Sequence, residues 1–219
     1  MKVINFARAN TIINQYVAEI RDVHYQNNRL VFRRNIERIG ELMAYEISKQ
    51  LSYSEKEIRT PLDIATVNTP DDKIVLATVF RAGLPLHQGF LNIFDRADNA
   101  FVSAFRYYED KEGTKVGIKT EYMAAPSLKG KTLILVDPML ATGGSMELAY
   151  KALTVDEEPE KLILASVIAA QEGVNYLKKV FRSKNVTLYT ADIDPILNEH
   201  KYIVPGLGDA GDLCYGEKL

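Results

Sequence analysis

Residues 73–80 (Lys-Ile-Val-Leu-Ala-Thr-Val-Phe) are apolar on both alternating faces, and this run constrains the fold more than any other feature of the chain. A strand with one wet face alternates polar and apolar residues. A strand apolar throughout has to be covered on both sides, as in a parallel sheet held between helical layers. Four further runs of this kind follow, at 101–107, 132–136, 161–169 and 186–190. Helical stretches lie between several of them, at 84–94, 145–153 and 174–182. The alternation predicts an α/β fold: a doubly wound, mainly parallel five-stranded sheet flanked by helices.

Upstream, Phe32, Ile36, Ile39, Met43 and Ile47 recur three or four apart and predict a long amphipathic helix over 28–51. A shorter helix over 11–22 precedes it, and 62–68 reads as a short strand or a loop. Residues 109–131 break the pattern. They are polar, carry Gly113, Gly117 and Gly130, and read as an excursion between two sheet strands, either a hairpin flap or a surface ornament. At 219 residues, without repeats or a linker, the chain is expected to form one domain with a flap at 108–131 and a C-terminal hood at 197–219.

Composition narrows the function. A net charge of −2 and the lack of a Lys/Arg-dense tract argue against nucleic acid or a membrane surface as the partner. A single cysteine, Cys214, excludes an intramolecular disulfide and a cysteine-based zinc site. The start of the chain has no apolar run of signal length, which makes a cytoplasmic protein the expectation. His24, His87 and His200 show no metal-ligand spacing and are expected to be structural or surface residues.

The chemistry concentrates in residues 133–146. An apolar strand delivers a carboxylate, Asp137, at its end, and Thr142, Gly143, Gly144 and Ser145 then open a helix. Glycines let backbone amides approach a ligand closely, and a helix start favours phosphate. The plainer reading is a strand–turn–helix with Ser145 as N-cap. No Gly-Lys-Ser/Thr pair follows, so the loop is not a nucleotide-hydrolysing P-loop. A second strand ends in Arg81-Ala82-Gly83, where a cation could hold a polyanion. Gly83 is expected to adopt a tight, strained backbone that aims its amide at the ligand.

A third segment, Tyr202 to Asp212, contains Gly206-x-Gly208-x-x-Gly211, the spacing of a dinucleotide fingerprint. The end of the chain eight residues later is expected to leave no room for the helix that fingerprint needs. The alternative is a rigid loop whose backbone reads a flat ligand.

The run Val136-Asp137-Pro138-Met139-Leu140-Ala141-Thr142-Gly143-Gly144-Ser145 resembles the phosphoribosyl pyrophosphate (PRPP) motif of the type I phosphoribosyltransferases, in the form used by the uracil phosphoribosyltransferase branch. Most of that superfamily has two adjacent acids where this chain has Asp137-Pro138. Arg81-Ala82-Gly83, Arg106 and Ile203 to Asp212 match further segments of that branch. The departure is at 107–127, which reads Tyr107-Tyr108-Glu109-Asp110 in place of a Thr- and Pro-containing flap.

The resemblance implies transfer of a phosphoribosyl group from PRPP to N1 of uracil, giving UMP and pyrophosphate. PRPP would be met by Arg81, Ala82, Gly83, Arg106, Asp137, Pro138, Met139, Leu140, Ala141, Thr142, Gly143, Gly144, Ser145 and Asp209. Uracil would be met by Ile203, Gly208, Asp209 and Ala210. Arg81, Arg106, Asp137 and Asp209 are the catalytic candidates, with Mg2+ held mainly by PRPP and water. The resemblance also implies a homodimer or larger homo-oligomer and allows a GTP effector. Three other readings stand beside it: transfer to another base, an RNA-binding regulator of pyrimidine genes on the same fold, and a silent scaffold.

Overall fold

The computed structural model describes residues 1–108 and 116–217, and describes side chains outside 104–121 only. In chain order the elements are β1 (Lys2–Asn5), α1 (Ile13–Arg21), α2 (Val23–Gln26), α3 (Arg29–Ser48), β2 (Tyr53–Arg59), β3 (Ile64–Pro70), β4 (Ile74–Val79), α4 (Leu84–Ile93), β5 (Asp98–Tyr108) and β6 (Val116–Ala124). They continue with β7 (Thr132–Val136), β8 (Met139–Leu140), α5 (Gly144–Leu153), β9 (Lys161–Ala170), α6 (Gln171–Val180), β10 (Val186–Asp194), β11 (Ile196–Leu197), β12 (Ile203–Val204) and α7 (Ala210–Tyr215).

The main sheet runs β1-β10-β9-β7-β4-β5-β6, parallel throughout except for the antiparallel β5–β6 edge. Its five central strands are the five apolar runs. In chain order they lie 2-1-3-4-5 across the sheet, so the order reverses between β4 and β7. A crevice opens at such a reversal, outside the carboxyl ends of the strands. Both sheet edges went unread in the sequence. β1 is short, and β6 lies in the polar excursion.

Alternation along the strands feeds two cores. Leu76, Ile134, Val136, Ile163 and Ala165 point to the side covered by α1, α3 and α4. Val75, Ala77, Leu133, Leu135, Leu162 and Leu164 point to the side covered by α5 and α6. β4, β7 and β9 each bury both faces, as their unbroken apolar character requires.

Asn28 caps α3 by accepting from the amides of Leu30 and Val31. That helix buries Phe32, Ile36, Ile39, Met43 and Ile47, the expected stripe. The segment at 62–68 is one half of a hairpin: β2 and β3 pair antiparallel from Tyr53↔Pro70 to Arg59↔Ile64. Its two strands form a sheet of their own, an arm with Tyr53, Ile58, Ile64 and Val67 exposed and Leu62 at 95% exposure at the tip. Among the described residues no helix is long and apolar enough to cross a membrane.

Candidate active site

Three loops reach the switch-point crevice. The first leaves β7. The Asp137 amide donates to the Ala165 carbonyl at 3.1 Å, and the Pro138 carbonyl accepts from Val167 and Ile168 at 3.0 and 2.9 Å. Met139 and Leu140 then pair with β9 as the short strand β8. Pro138 therefore sits where its missing N–H costs nothing and its carbonyl is doubly used.

Asp137 stands at the strand end, with one oxygen accepting from the Met139 amide at 3.3 Å. Burial outweighs that single bond and raises its carboxyl to about 6. A carboxylate held this way has unused acceptor capacity.

Gly143, not Ser145, is the N-cap of α5, with φ +86° and no side-chain cap bond. The reason is steric. A Cβ on Gly143 would lie 2.9 Å from the Tyr176 ring, and the left-handed backbone penalises any other residue. Thr142 and Ser145 are exposed, and the Thr142 hydroxyl accepts from the Gly144 amide at 3.4 Å. Behind them α6 forms a floor. Gly173 lies so close that a Cβ would meet the Ala141 carbonyl at 2.4 Å. The sequence offered no sign of that floor, because Gly173 and Tyr176 are ordinary helix-surface residues until the helix is docked.

The second loop leaves β4, with a cis peptide bond between Phe80 and Arg81. Here one expectation is overturned. Gly83 has φ −69°, unstrained helical backbone, and its amide donates to the Val79 carbonyl at 3.1 Å rather than toward a ligand. Glycine is needed because a Cβ would fall 2.0 Å from the Thr78 hydroxyl. Arg81 donates from Nη2 to Asp212 Oδ1 at 3.0 Å and to the Gly216 carbonyl at 3.2 Å. Its Nε is buried without a partner. Arg106 lies in β5 at the next strand, opposite Ile118 in register, and its side chain lies outside the described residues.

The third loop is the C-terminal one. The expectation that no helix could follow the glycine pattern is corrected: α7 fits in six residues, with Asp209 as N-cap accepting from the Asp212 amide at 3.0 Å. A six-residue helix outside a βαβ unit still is not a dinucleotide fold. Gly206 takes φ +60°, where a Cβ would lie 2.1 Å from the Ile203 carbonyl. Ile203, Leu207 and Ala210 are buried, and Gly208 is exposed.

The loops meet. Ala82 from the second, Met139 and Ala141 from the first, and Ile203, Gly208, Asp209, Ala210 and Gly211 from the third line one cleft of about 210 Å³. Thr142 and Gly144 line a separate cleft with Glu172, Asn175, Tyr176 and Lys179. The carboxylates of Asp137 and Asp209 are hard oxygen donors of the kind a divalent cation carried by a polyphosphate would use. The remaining candidates stand apart from this chemistry. His24 and His200 are exposed, and His87 is buried. Burial lowers the His87 imidazole. Cys214 is buried, which pushes its thiol up to about 12 and leaves it unreactive.

Comparison with known proteins points to one family. A family model described as uracil phosphoribosyltransferase matches residues 7–217. The chain is 54% identical to a uracil phosphoribosyltransferase of Porphyromonas gingivalis over 219 residues, all of both chains. A solved protein of Aquifex aeolicus superposes with a TM-score of 0.85 at 30% identity, covering 99% of each chain. The orotate phosphoribosyltransferase of Mycobacterium tuberculosis, solved with PRPP, shares the fold at a TM-score of 0.51 and 12% identity, covering 87% of this chain and 95% of that one.

Proposed function

The chain belongs to the uracil phosphoribosyltransferase family, and on that premise we propose that it joins N1 of uracil to the ribose of PRPP in the cleft between its three loops. UMP and pyrophosphate are the products. The observation that carries this reading is the shared cleft itself: one cavity is lined by Ala82, Met139, Ala141, Ile203, Gly208, Asp209 and Ala210.

Departure of pyrophosphate leaves positive charge on C1 of the ribose, so the transition state resembles the oxocarbenium ion of glycoside cleavage. Uracil is the nucleophile, so the protein has to align, neutralise and exclude water. Asp137 accepts hydrogen bonds from the ribose hydroxyls. The amides and hydroxyls of Thr142, Gly143, Gly144 and Ser145 take the 5-phosphate at the start of α5. Arg81 takes charge from the leaving pyrophosphate, and Arg106 joins it. When bound with PRPP, Mg2+ would neutralise further charge on the leaving group.

The backbone of residues 203–210 reads the base edge. Uracil offers two carbonyl acceptors and an N3 donor. Cytosine reverses part of that pattern and leaves buried groups unpaired, at about 1–3 kcal/mol each. Asp209 gives one oxygen to capping α7. Its other oxygen serves either N1 or a water near PRPP.

The reading covers the whole chain as one phosphoribosyltransferase domain, with the flap at 108–131 and the hood at 197–219. It includes a homodimer or larger homo-oligomer, supported by the exposed apolar arm of β2 and β3. The single free cysteine fits a reducing cytoplasm. A product assay tests the whole: the protein with PRPP and Mg2+ is offered uracil, cytosine, hypoxanthine and adenine in turn. UMP from uracil alone is the expected result. A purine nucleotide instead would overturn the reading of 203–210.

A further inference from the structure

The base loop is held from behind by a part of the chain that the reaction does not use. Arg21, at the end of α1, donates from Nη1 to the Gly206 carbonyl at 2.8 Å and to Asp194 Oδ2 at 2.8 Å. Its Nη2 donates to Asp194 Oδ1 and Asp192 Oδ2 at 2.8 and 2.9 Å. Asp194 Oδ2 in turn accepts the Gly206 amide at 2.8 Å. Both backbone polar groups of Gly206 are therefore fixed by one partly buried ion pair. One residue on, Gln26 Nε2 donates to the Leu207 carbonyl at 3.0 Å, and also to the carbonyls of Ile20 and Arg21.

These ties span the sequence, from residues 20–26 to residues 206–207. They clamp the two residues just ahead of Gly208, Asp209 and Ala210, which line the cleft. None of Arg21, Gln26, Asp192 and Asp194 lines that cleft themselves. A loop that reads a base through its backbone can discriminate only if that backbone cannot shift to suit the wrong partner, because a loose loop re-pairs with whatever edge is offered. Asp194 ends β10 on the sheet, so the clamp transfers the rigidity of the sheet to the loop.

We propose that Arg21, Asp194 and Gln26 are positioning residues that set the affinity for uracil and its preference over cytosine. The proposal rests on the function assigned above. It gives the N-terminal helices a role at the site: α1 and α2 brace the base loop.

The test is steady-state kinetics of Gln26→Met and Arg21→Lys beside the unaltered enzyme, with thermal melting of each. Gln26→Met removes a partly buried donor and is the milder change. Arg21→Lys keeps the charge but cannot span Asp192, Asp194 and Gly206 as the planar guanidinium does. In each, KM for uracil should rise about tenfold while kcat and KM for PRPP stay within about twofold. The ratio of kcat/KM for uracil over cytosine should fall. A folded variant with unchanged uracil KM and unchanged base preference overturns the proposal. So does an equal rise in KM for both substrates, which would mean general loosening. If Arg21→Lys does not fold, Gln26→Met decides alone. An unaltered enzyme that makes no UMP from uracil sinks the function and this proposal together, whereas an active enzyme with indifferent variants sinks only the proposal.

Discussion

Arg81 Nη2 lies 3.0 Å from Asp212 Oδ1, so the cation expected to meet pyrophosphate is held by the helix that follows the base loop. The two proposed substrate subsites are thus joined through one ion pair, in which the arginine side chain keeps 37% exposure. Such a pair adds little to stability. Its weight lies in orientation, since the guanidinium is pre-aimed by Asp212 and by the Gly216 carbonyl.

Arg81→Lys should therefore keep the fold and lose the chemistry. A lysine is a point charge and cannot hold Asp212, Gly216 and a pyrophosphate oxygen with one planar group. The expected outcome is a drop in kcat/KM for PRPP of about a hundredfold, with melting unchanged. Near-normal turnover in a steady-state assay would remove Arg81 from the leaving-group role.

Asp137 should impose an acid limb on PRPP binding. Burial raises its carboxyl from 3.8 to about 6. The ionised form accepts the ribose hydroxyls, so PRPP affinity should fall as pH drops through about 6. Stability runs the other way. The folded value lies above the unfolded one, so this group's contribution is fully present below 3.8 and is lost as pH rises through about 6. Calorimetric titration with PRPP well below and well above that value checks the first point. Asp137→Asn should abolish the pH dependence and weaken binding at neutral pH. Equal affinity of the unaltered protein on both sides would refute the role.

Gly143→Ala combines a left-handed φ of +86° with a methyl 2.9 Å from the Tyr176 ring. The substitution should cost about 1–2 kcal/mol of stability, read as a lowered urea midpoint. It should also raise KM for PRPP more than KM for uracil, because the phosphate loop moves and the base loop does not. A change confined to uracil KM would place the phosphate elsewhere.

The arm predicts its own result. Leu62 is 95% exposed at the tip of a hairpin that stands as a separate two-stranded sheet. Isolated hairpins are marginal in water, and a bare apolar tip marks a contact surface. Leu62→Asp should shift the species seen by sedimentation toward a smaller assembly, with the secondary structure retained. An unchanged sedimentation profile would mean that the tip is no part of an interface.

Much of the candidate site was legible because it sits where apolar strands stop. Asp137 and Arg81 each follow a buried run, and a charge at that position stands out against its neighbours. Asp194 has the same signature at the end of β10, but nothing local says whether such a carboxylate faces a ligand or a loop. The sequence leaves the arm open between a short strand and a loop at 62–68, because its residues alternate weakly and its partner strand, Tyr53–Arg59, is mostly polar and charged. Arg106 and the stretch at 107–127 fall largely among the side chains that the structure does not describe.

By itself, the sequence determined the five central strands of the sheet, the helices that cover them and the three candidate loops. Those features follow from local periodicity, strand ends and glycine placement, all encoded within a dozen neighbouring residues. Tertiary structure alone decided why the glycines are glycines and what holds the loops still. Gly83 yields to Thr78, Gly143 to Tyr176, and Gly206 to the carbonyl of Ile203 and the grip of Arg21 and Asp194. Several of these partners are remote in sequence, and a side chain of fixed identity can face water or a backbone carbonyl depending only on which helix docks where. Packing makes that choice, since it is the docked surface that leaves a polar group either solvated or in need of a partner.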